Sequence, residues 1–323
     1  MERRTFVKLA GSAALYPLAA NAQQGVPVVA FVRSDSLSAS SPLPAAFREG
    51  LKEAGFVEGR NVAIEFRSAD NQRDRLPGMI AEMVKRPVAV IVGNSFVANM
   101  AKTATTKVPI VFTLVSDPVG SGLVASINRP GGNVTGVGFF SASLGAKRLE
   151  LLHQMAPNAS KVGMLINPEN SDLAADRISV ESAAQTMGLQ ALVREVHSPL
   201  DVEEAFTAFA ASGVGALLVG GGPFMFTNRK LLVDLATRHA LPASYPLREY
   251  AVEGGLTSYG NSITDAIRQS GVYAGRILKG ENPGEIPVLQ SSKFEFVLNL
   301  KTAKALGLEF PPQLLATADE VIE

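Results

Sequence analysis

An internal repeat constrains the fold of this chain more than any other feature of its 323 residues. The run R-P-V-A-V-I-V-G at 86–93 returns as G-V-G-A-L-L-V-G at 213–220, and T-K-V-P-I-V-F at 106–112 returns as H-A-L-P-A-S-Y at 239–245. The two copies are about 130 residues apart, whereas solenoid repeats have periods of about 20 to 50 residues. The sequence therefore predicts two similar domains that arose by duplication.

Strand-like and helix-like segments alternate in both halves. The strand-like runs are 28–32, 62–66, 88–92, 108–112, 161–166, 191–196, 215–220 and 241–245, and helical spacing is found at 45–56, 74–84, 181–189 and 201–210. Continuous Val/Ile/Leu runs are typical of parallel strands that are covered on both faces. The predicted fold class is α/β, with two doubly wound parallel-sheet lobes.

The first 22 residues have the three parts of a secretory signal peptide. A cationic start with Arg3, Arg4 and Lys8 precedes an uncharged apolar stretch, and small residues follow at Ala20 and Ala22. The apolar stretch is about a dozen residues long, and a spanning helix needs about 20. We therefore expect residues 1–22 to direct export and to be cleaved off, with a periplasmic mature chain.

Two export routes remain open. Arg3 and Arg4, followed by T-F-V-K, resemble a twin-arginine signal, and the general secretory route is the alternative.

Loss of the leader removes three of the 30 basic and one of the 30 acidic residues, which leaves a net charge near −2. Because nucleic-acid binding depends on neutralising phosphates, no nucleic-acid partner is expected. With no cysteine in the chain, disulfides and thiolate chemistry are excluded.

Five stretches resemble one protein family. They are F-R-E-G-L-K-E-A-G-F-V-E-G-R-N-V at 47–62, D-P-V-G-S-G-L-V-A-S-I-N-R-P-G-G-N-V-T-G at 117–136, K-R-L-E-L-L at 147–152, Y-A-G-R-I-L-K-G at 273–280 and K-F-E-F-V-L-N-L at 293–300. The chain resembles the tryptophan-binding-like ABC-transporter substrate-binding proteins over nearly all of its length after the leader. The resemblance implies a type I periplasmic-binding-protein fold, whose two lobes close on a small solute and present it to an ABC permease.

The resemblance also implies three crossovers between the lobes. We predict lobe 1 at 26–135 plus 260–290 and lobe 2 at 136–259 plus 291–323. A helix at 265–278 is expected to return to the first lobe. Closure is expected to turn about Gly136, Gly255 and Pro287.

Ligands of parallel sheets bind beyond the carboxyl ends of the strands, so the loops that follow strands are the candidate site. In the first lobe Asp117 is a candidate partner for a ligand ammonium, and the alternative is a residue that only starts a turn before Pro118. Ser34, Ser36, Asn94 and Ser95 are candidates for binding a ligand carboxylate. Helix capping is the alternative for these four.

In the second lobe Asn167 and Asn170 are candidates for hydrogen bonds to the solute, and turn formation is the alternative. Phe224, Tyr245 and Tyr259 are candidates for an aromatic or apolar wall, and core packing is the alternative.

The resemblance also marks one departure. Relatives commonly have an acidic residue where this chain has Gly222, which weakens any transfer of ligand identity.

Catalytic motifs such as G-x-S-x-G and H-E-x-x-H are missing from the sequence. His153, His197 and His239 lack metal-ligand spacing, and we expect neither a metal nor another cofactor.

These features predict a monomeric solute-binding component of an ABC importer that is not an enzyme. The expected solute is small and polar, with an ammonium or amide group and a carboxylate, and an aromatic amino acid is the leading candidate. Two other classes stay open: a doubly wound enzyme that uses the same cleft, and the sensor half of a sugar-type repressor. The second is disfavoured by the leader and by the lack of a basic DNA-binding segment.

Overall fold

The structure, a computed structural model, describes residues 25–36, 42–86, 88–139, 144–168 and 173–323. The predicted leader at 1–22, with its two arginines, lies outside the described residues, as does Asn170. No helix within the described ranges is long and apolar enough to cross a membrane.

The first half of the chain alternates strands with helices, as its sequence predicts. Neighbouring strands in this half are all parallel. The elements are β1 (Val28–Arg33), α1 (Leu43–Glu53), β2 (Ala63–Ser68), α2 (Leu76–Lys85), β3 (Val88–Gly93), α3 (Ser95–Ala104), β4 (Ile110–Val115) and β5 (Val134–Gly138).

The second half repeats this alternation and forms a second sheet, again with parallel neighbours. Its elements are α4 (Leu144–Met155), β6 (Lys161–Ile166), α5 (Leu173–Thr186), β7 (Gln190–Glu195), α6 (Pro199–Ala211), β8 (Ala216–Val219), α7 (Pro223–Thr227), α8 (Arg229–Arg238), β9 (Ala243–Tyr245), α9 (Arg248–Val252) and β10 (Thr257–Asn261).

The remaining chain returns to each lobe in turn. Its elements are α10 (Ile263–Leu278), β11 (Leu289–Gln290), β12 (Phe294–Asn299), α11 (Leu300–Ala305), α12 (Pro312–Thr317) and β13 (Glu320–Ile322). The first sheet has the order β11-β5-β4-β3-β1-β2 and the second β13-β12-β10-β9-β8-β6-β7. The predicted fold class is confirmed, with one addition: β12 runs antiparallel to β10.

Helix α10 packs on the first lobe, as predicted, because its buried face joins the cluster of α1 and β1. The chain therefore crosses between the lobes three times: after β5, after β10 and after β11. Two of the predicted lobe boundaries fall inside strands, since β5 pairs in the first sheet as far as Gly138 and β10 pairs in the second as far as Asn261.

The predicted hinge glycines have packing roles. A Cβ on Gly136, which lies within β5, would overlap the carbonyl oxygen of Phe112, and a Cβ on Gly255 would lie 2.7 Å from the ring of Tyr245. Close packing therefore explains both glycines, and neither lies at a crossover.

Each sheet is covered on both faces. Along β1, Val29 and Phe31 belong to the core cluster beneath α1 and α10, whereas Ala30 and Val32 belong to the cluster beneath α2 and α3. This alternation follows from the two-residue period of a strand. With both faces buried, only the edges and ends of the sheets reach solvent.

Both sheets reverse their strand order at one point, between β1 and β3 in the first and between β6 and β8 in the second. A crevice opens beyond the carboxyl ends of the strands at such a point. The chain therefore carries two crevices, one in each lobe.

Candidate functional site

One cavity of about 450 Å³ lies between the lobes and is lined by both of them. The first lobe lines it with Ser34, which follows β1, and Asn94, which follows β3. These two strands flank the reversal point of the first sheet. From the second lobe it receives Asn167 after β6 and the glycines at 221 and 222 after β8. Its volume is within the range of small-molecule pockets, about 300 to 1,000 Å³. We call this cavity the cleft.

Seven of the ten predicted site residues line the cleft. They are Ser34, Asn94, Ser95, Asp117, Asn167, Phe224 and Tyr259.

Two of the other three do not. Tyr245 is wrong as a wall residue: it ends β9 within the core at 0% exposure, and its ring stacks on Tyr250 at 4.9 Å. Ser36 is exposed outside the cleft, and its hydroxyl bonds the carboxylate of Asp70. Asn170 lies outside the described residues.

The polar side chains at the first crevice hold one another in place. Asn94 donates from Nδ2 to Oγ of Ser34 at 2.7 Å, and its Oδ1 accepts from the backbone N–H of Val97, so that it caps α3. Asp117 accepts at Oδ1 from the backbone N–H of Gly120 at 2.7 Å. Asn94 therefore caps a helix and Asp117 bonds within a turn, which are the local roles named as alternatives to ligand binding.

A partly buried ion pair, which the sequence did not lead us to expect, lies at the end of β1. Arg33 donates from Nε and Nη2 to the two carboxylate oxygens of Asp35, at 2.8 and 2.6 Å. Arg33 is only 3% exposed, and both residues line the cleft. A bidentate pair of this kind fixes the guanidinium plane.

The second lobe has a matching pair. Arg148 on α4 donates from Nη2 to Asp176 on α5 at 3.0 Å and from Nη1 to the carbonyl of Val219 at 3.2 Å. The other oxygen of Asp176 accepts from the backbone N–H of Gly145. Burial raises the pKa of Asp176 and lowers the pKa of Arg148, while their mutual attraction opposes both shifts. Each crevice therefore contains one arginine and aspartate pair.

Aromatic rings form the less polar part of the cleft. Tyr259 lies parallel to Phe294 at 6.2 Å, and Phe96 lies beneath the guanidinium of Arg73 at 4.0 Å. Rings of this kind offer flat apolar surface, and an aromatic ligand gains further from offset or edge contacts. The cleft-lining aromatic residues are Phe96, Phe139, Phe224, Phe226 and Tyr259.

Backbone strain is also found at the cleft. Leu114 has a φ of 61°, and the pairing of β4 with β5 shifts register between Thr113 and Val115. Such a conformation costs a residue other than glycine about 1 kcal/mol or more, and conformations of this kind cluster at ligand sites.

No group of His, Cys, Asp and Glu side chains suited to a metal ion occurs among the described residues.

A sequence profile of the family described as ABC transporter substrate binding protein matches residues 25–322. The chain belongs to this family.

Individual relatives have modest identity. A tyrosine-binding protein of Clostridioides difficile (strain R20291) is 26% identical over 266 residues, which are 81% of this chain and 76% of the relative. A conserved domain protein of Vibrio cholerae is 25% identical with a TM-score of 0.82, over 92% of this chain and 100% of that one. The ABC domain of Streptococcus pneumonia in complex with L-Trp has the same TM-score and coverage at 24% identity. This last likeness concerns the fold.

We predict that removing one partner of the second-lobe pair destabilises the protein. Arg148→Met leaves the buried carboxylate of Asp176 without its counter-charge, and such a loss costs about 3 to 5 kcal/mol of unfolding free energy. Urea denaturation measures this value. The matched control is Lys230→Met, because Lys230 is 74% exposed in its pair with Asp234, and we expect a change below about 1 kcal/mol. Equal losses in the two variants would contradict the prediction.

Proposed function

We propose that the mature protein is an extracytoplasmic receptor of an ABC importer, and that it captures an aromatic amino acid in the cleft and presents it to a membrane permease. The observation that carries the proposal is the composition of the cleft, where two arginine and aspartate pairs and several aromatic rings line one cavity. The permease as partner follows from the family.

The charges of the cleft favour a ligand that is neutral overall but carries both signs. A zwitterion meets opposite charges at short range without adding net charge to a cavity that already holds both signs. The charged residues of the described cleft lining are three arginines and three aspartates: Arg33, Arg73, Arg148, Asp35, Asp117 and Asp176.

The aromatic rings of the cleft favour a ligand with an aromatic side chain. Tyr259, Phe224 and Phe226 line the cleft from the second lobe. The relative from Clostridioides difficile is named for tyrosine binding, which supports the same ligand class. Asn94, Ser34, Ser95 and Asn167 stay proposed as hydrogen-bonding groups.

Binding without turnover is part of the proposal. Calorimetry of the mature chain with L-tyrosine and L-tryptophan should give saturable heat with one site per chain, and chromatography should recover the ligand unchanged. Tyr259→Ala should weaken the affinity for these ligands more than the affinity for L-alanine, since it removes a ring contact of about 0.5 to 1.5 kcal/mol. Chemical conversion of a bound ligand would favour the enzyme alternative.

Asp117 is the proposed partner of the ligand ammonium. Of the three cleft aspartates it is the one that no described arginine or lysine pairs with, since Arg33 and Arg148 pair with the other two. Asp117→Asn retains an acceptor for the N–H of Gly120 but removes the charge, whereas Asp117→Ala removes both. If lobe closure desolvates the ammonium, both variants should lose about 2 to 4 kcal/mol of binding free energy. A loss below about 0.5 kcal/mol in the Asn variant would assign Asp117 to the turn alone.

Closure of the lobes on the ligand is the proposed conformational change. Across the mouth of the cleft, Thr227 donates to the side-chain oxygen of Asn71 at 3.4 Å, and Phe226 packs against core clusters of both lobes. A ligand that contacts both lobes binds the closed form better and shifts the population toward it. Small-angle scattering should therefore give a smaller radius of gyration at saturating ligand. Identical curves would mean that the closed form already dominates.

Export through the leader at 1–22 is likewise proposed, with the twin-arginine route as the specific form. Replacing Arg3 and Arg4 by lysine should then reduce periplasmic yield strongly, because that translocon reads the arginine pair. Unchanged periplasmic yield would assign the chain to the general secretory route.

A further inference from the structure

One leucine of the cleft has a backbone conformation that leucine rarely adopts. The φ of 61° at Leu114 lies in the left-handed region, which favours glycine. Leu114 is also an extra residue in β4: Thr113 pairs with Val137 and Val115 pairs with Gly138, so Leu114 falls between two consecutive partners on β5. A bulge of this kind re-aims a side chain and is common beside functional sites.

The bulge gives Leu114 an accessibility that its neighbours in β4 lack. Thr113 is 0% exposed and Val115 is 5% exposed, whereas Leu114 is only partly buried and lines the cleft. Its side chain can therefore be reached from the cavity. Strained residues cluster at ligand sites, and a glycine here would avoid the strain. The strain thus points to a task for the side chain itself.

Leu114 belongs to a larger apolar surface of the cleft. Five residues line the cleft and also belong to, or pack against, the core cluster beneath α1 and α10: Leu114, Phe139, Phe226, Leu247 and Ile263. We call these five residues the apolar wall. Phe226 and Leu247 come from the second lobe, and the other three come from the first lobe and the start of α10. An apolar group of a ligand is removed from water when it packs against such a surface.

We infer that Leu114 is a specificity-determining residue of the cleft, whose side chain packs against the aromatic side chain of the solute. The inference rests on the proposed function and specifies it: the apolar wall selects amino acids with a large apolar side chain over L-alanine. Among the five residues of the wall, Leu114 is the one with a positive φ. The alternative is that Leu114 serves only the core of the first lobe, against which it also packs.

Calorimetry of two side-chain variants tests the inference. Leu114→Ala retains the backbone strain and removes most of the side chain, so it should weaken L-tyrosine and L-tryptophan binding at least about fivefold. Leu114→Met restores an apolar side chain of similar size and should recover most of that affinity. The affinity for L-alanine, measured by displacement of L-tyrosine, should change by less than about twofold, because a methyl group covers little of the wall.

Two further variants separate ligand contact from folding. Leu278→Ala is the matched control, because Leu278 packs against the same core cluster at the last residue of α10 and does not line the cleft. Its affinity for L-tyrosine should stay within about twofold of wild type. Leu114→Gly removes the side chain and the strain together, and it should lose as much affinity as the alanine variant. Thermal melting establishes that each variant is folded, and the glycine variant decides if the alanine variant is not.

The outcomes separate the two proposals. If wild-type protein gives no heat with L-tyrosine or L-tryptophan, the proposed function is wrong and the inference is wrong with it. If wild-type protein binds L-tyrosine and the folded Ala or Gly variant of Leu114 binds it within about twofold, the role of Leu114 is overturned and the amino-acid receptor stands. Equal losses for L-tyrosine and L-alanine, or a loss no greater than that of Leu278→Ala, have the same meaning. If L-alanine binds too weakly to displace L-tyrosine, the comparison with Leu278→Ala decides alone.

Discussion

Burial of both faces of each parallel sheet is the constraint on which the rest of this structure depends. Val29 and Phe31 fill one side of the first sheet, and Ala30 and Val32 fill the other. Helices therefore cover every face, and polar chemistry is confined to strand ends and loops. Two such sheets, with their reversal points directed to a common cavity, bring polar side chains from both lobes together there. The cleft thus follows from the packing of the lobes together with the order of their strands.

Charge inside such a cleft must be stabilised before a ligand arrives. An isolated buried arginine would carry a large desolvation cost, whereas a pair with good geometry and further hydrogen bonds recovers most of it. Each lobe solves this with its own aspartate, at 2.6 Å for Arg33 and Asp35 and at 3.0 Å for Arg148 and Asp176. Because each pair is completed within one lobe, the proposed movement of the lobes would break neither. The charges would then keep their orientation during that movement, which lowers the ordering cost that a ligand has to meet.

The sequence was sufficient to predict the α/β fold class with two parallel-sheet lobes, since the internal repeat and the apolar runs report local and repeated structure. It failed where packing over longer distances decides. Tyr245 follows an apolar run and resembles a loop residue, yet it is the last residue of β9 and fully buried. The partner of Arg148 lies 28 residues downstream on another helix, and no spacing rule connects the two. Arg33 could have been found: an arginine directly after V-V-A-F-V is costly to bury unless it is paired, and Asp35 stands two residues away.

Groups with and without partners have different tasks in this cleft. Asn261 illustrates this at the crossovers: its Nδ2 donates to the carbonyl of Ser291 at 3.0 Å, while its buried Oδ1 has no partner. The bond joins the chain leaving β10 to the chain leaving β11, so two of the three crossovers are tied together at the floor of the cleft. A partnered atom fixes geometry, because its bond would have to break before it could move. An unpartnered buried atom carries a desolvation cost that only a complementary group could offset. Selectivity in a site of this kind therefore depends on the polar groups that the cleft exposes, and the partnered groups behind them keep those groups in position.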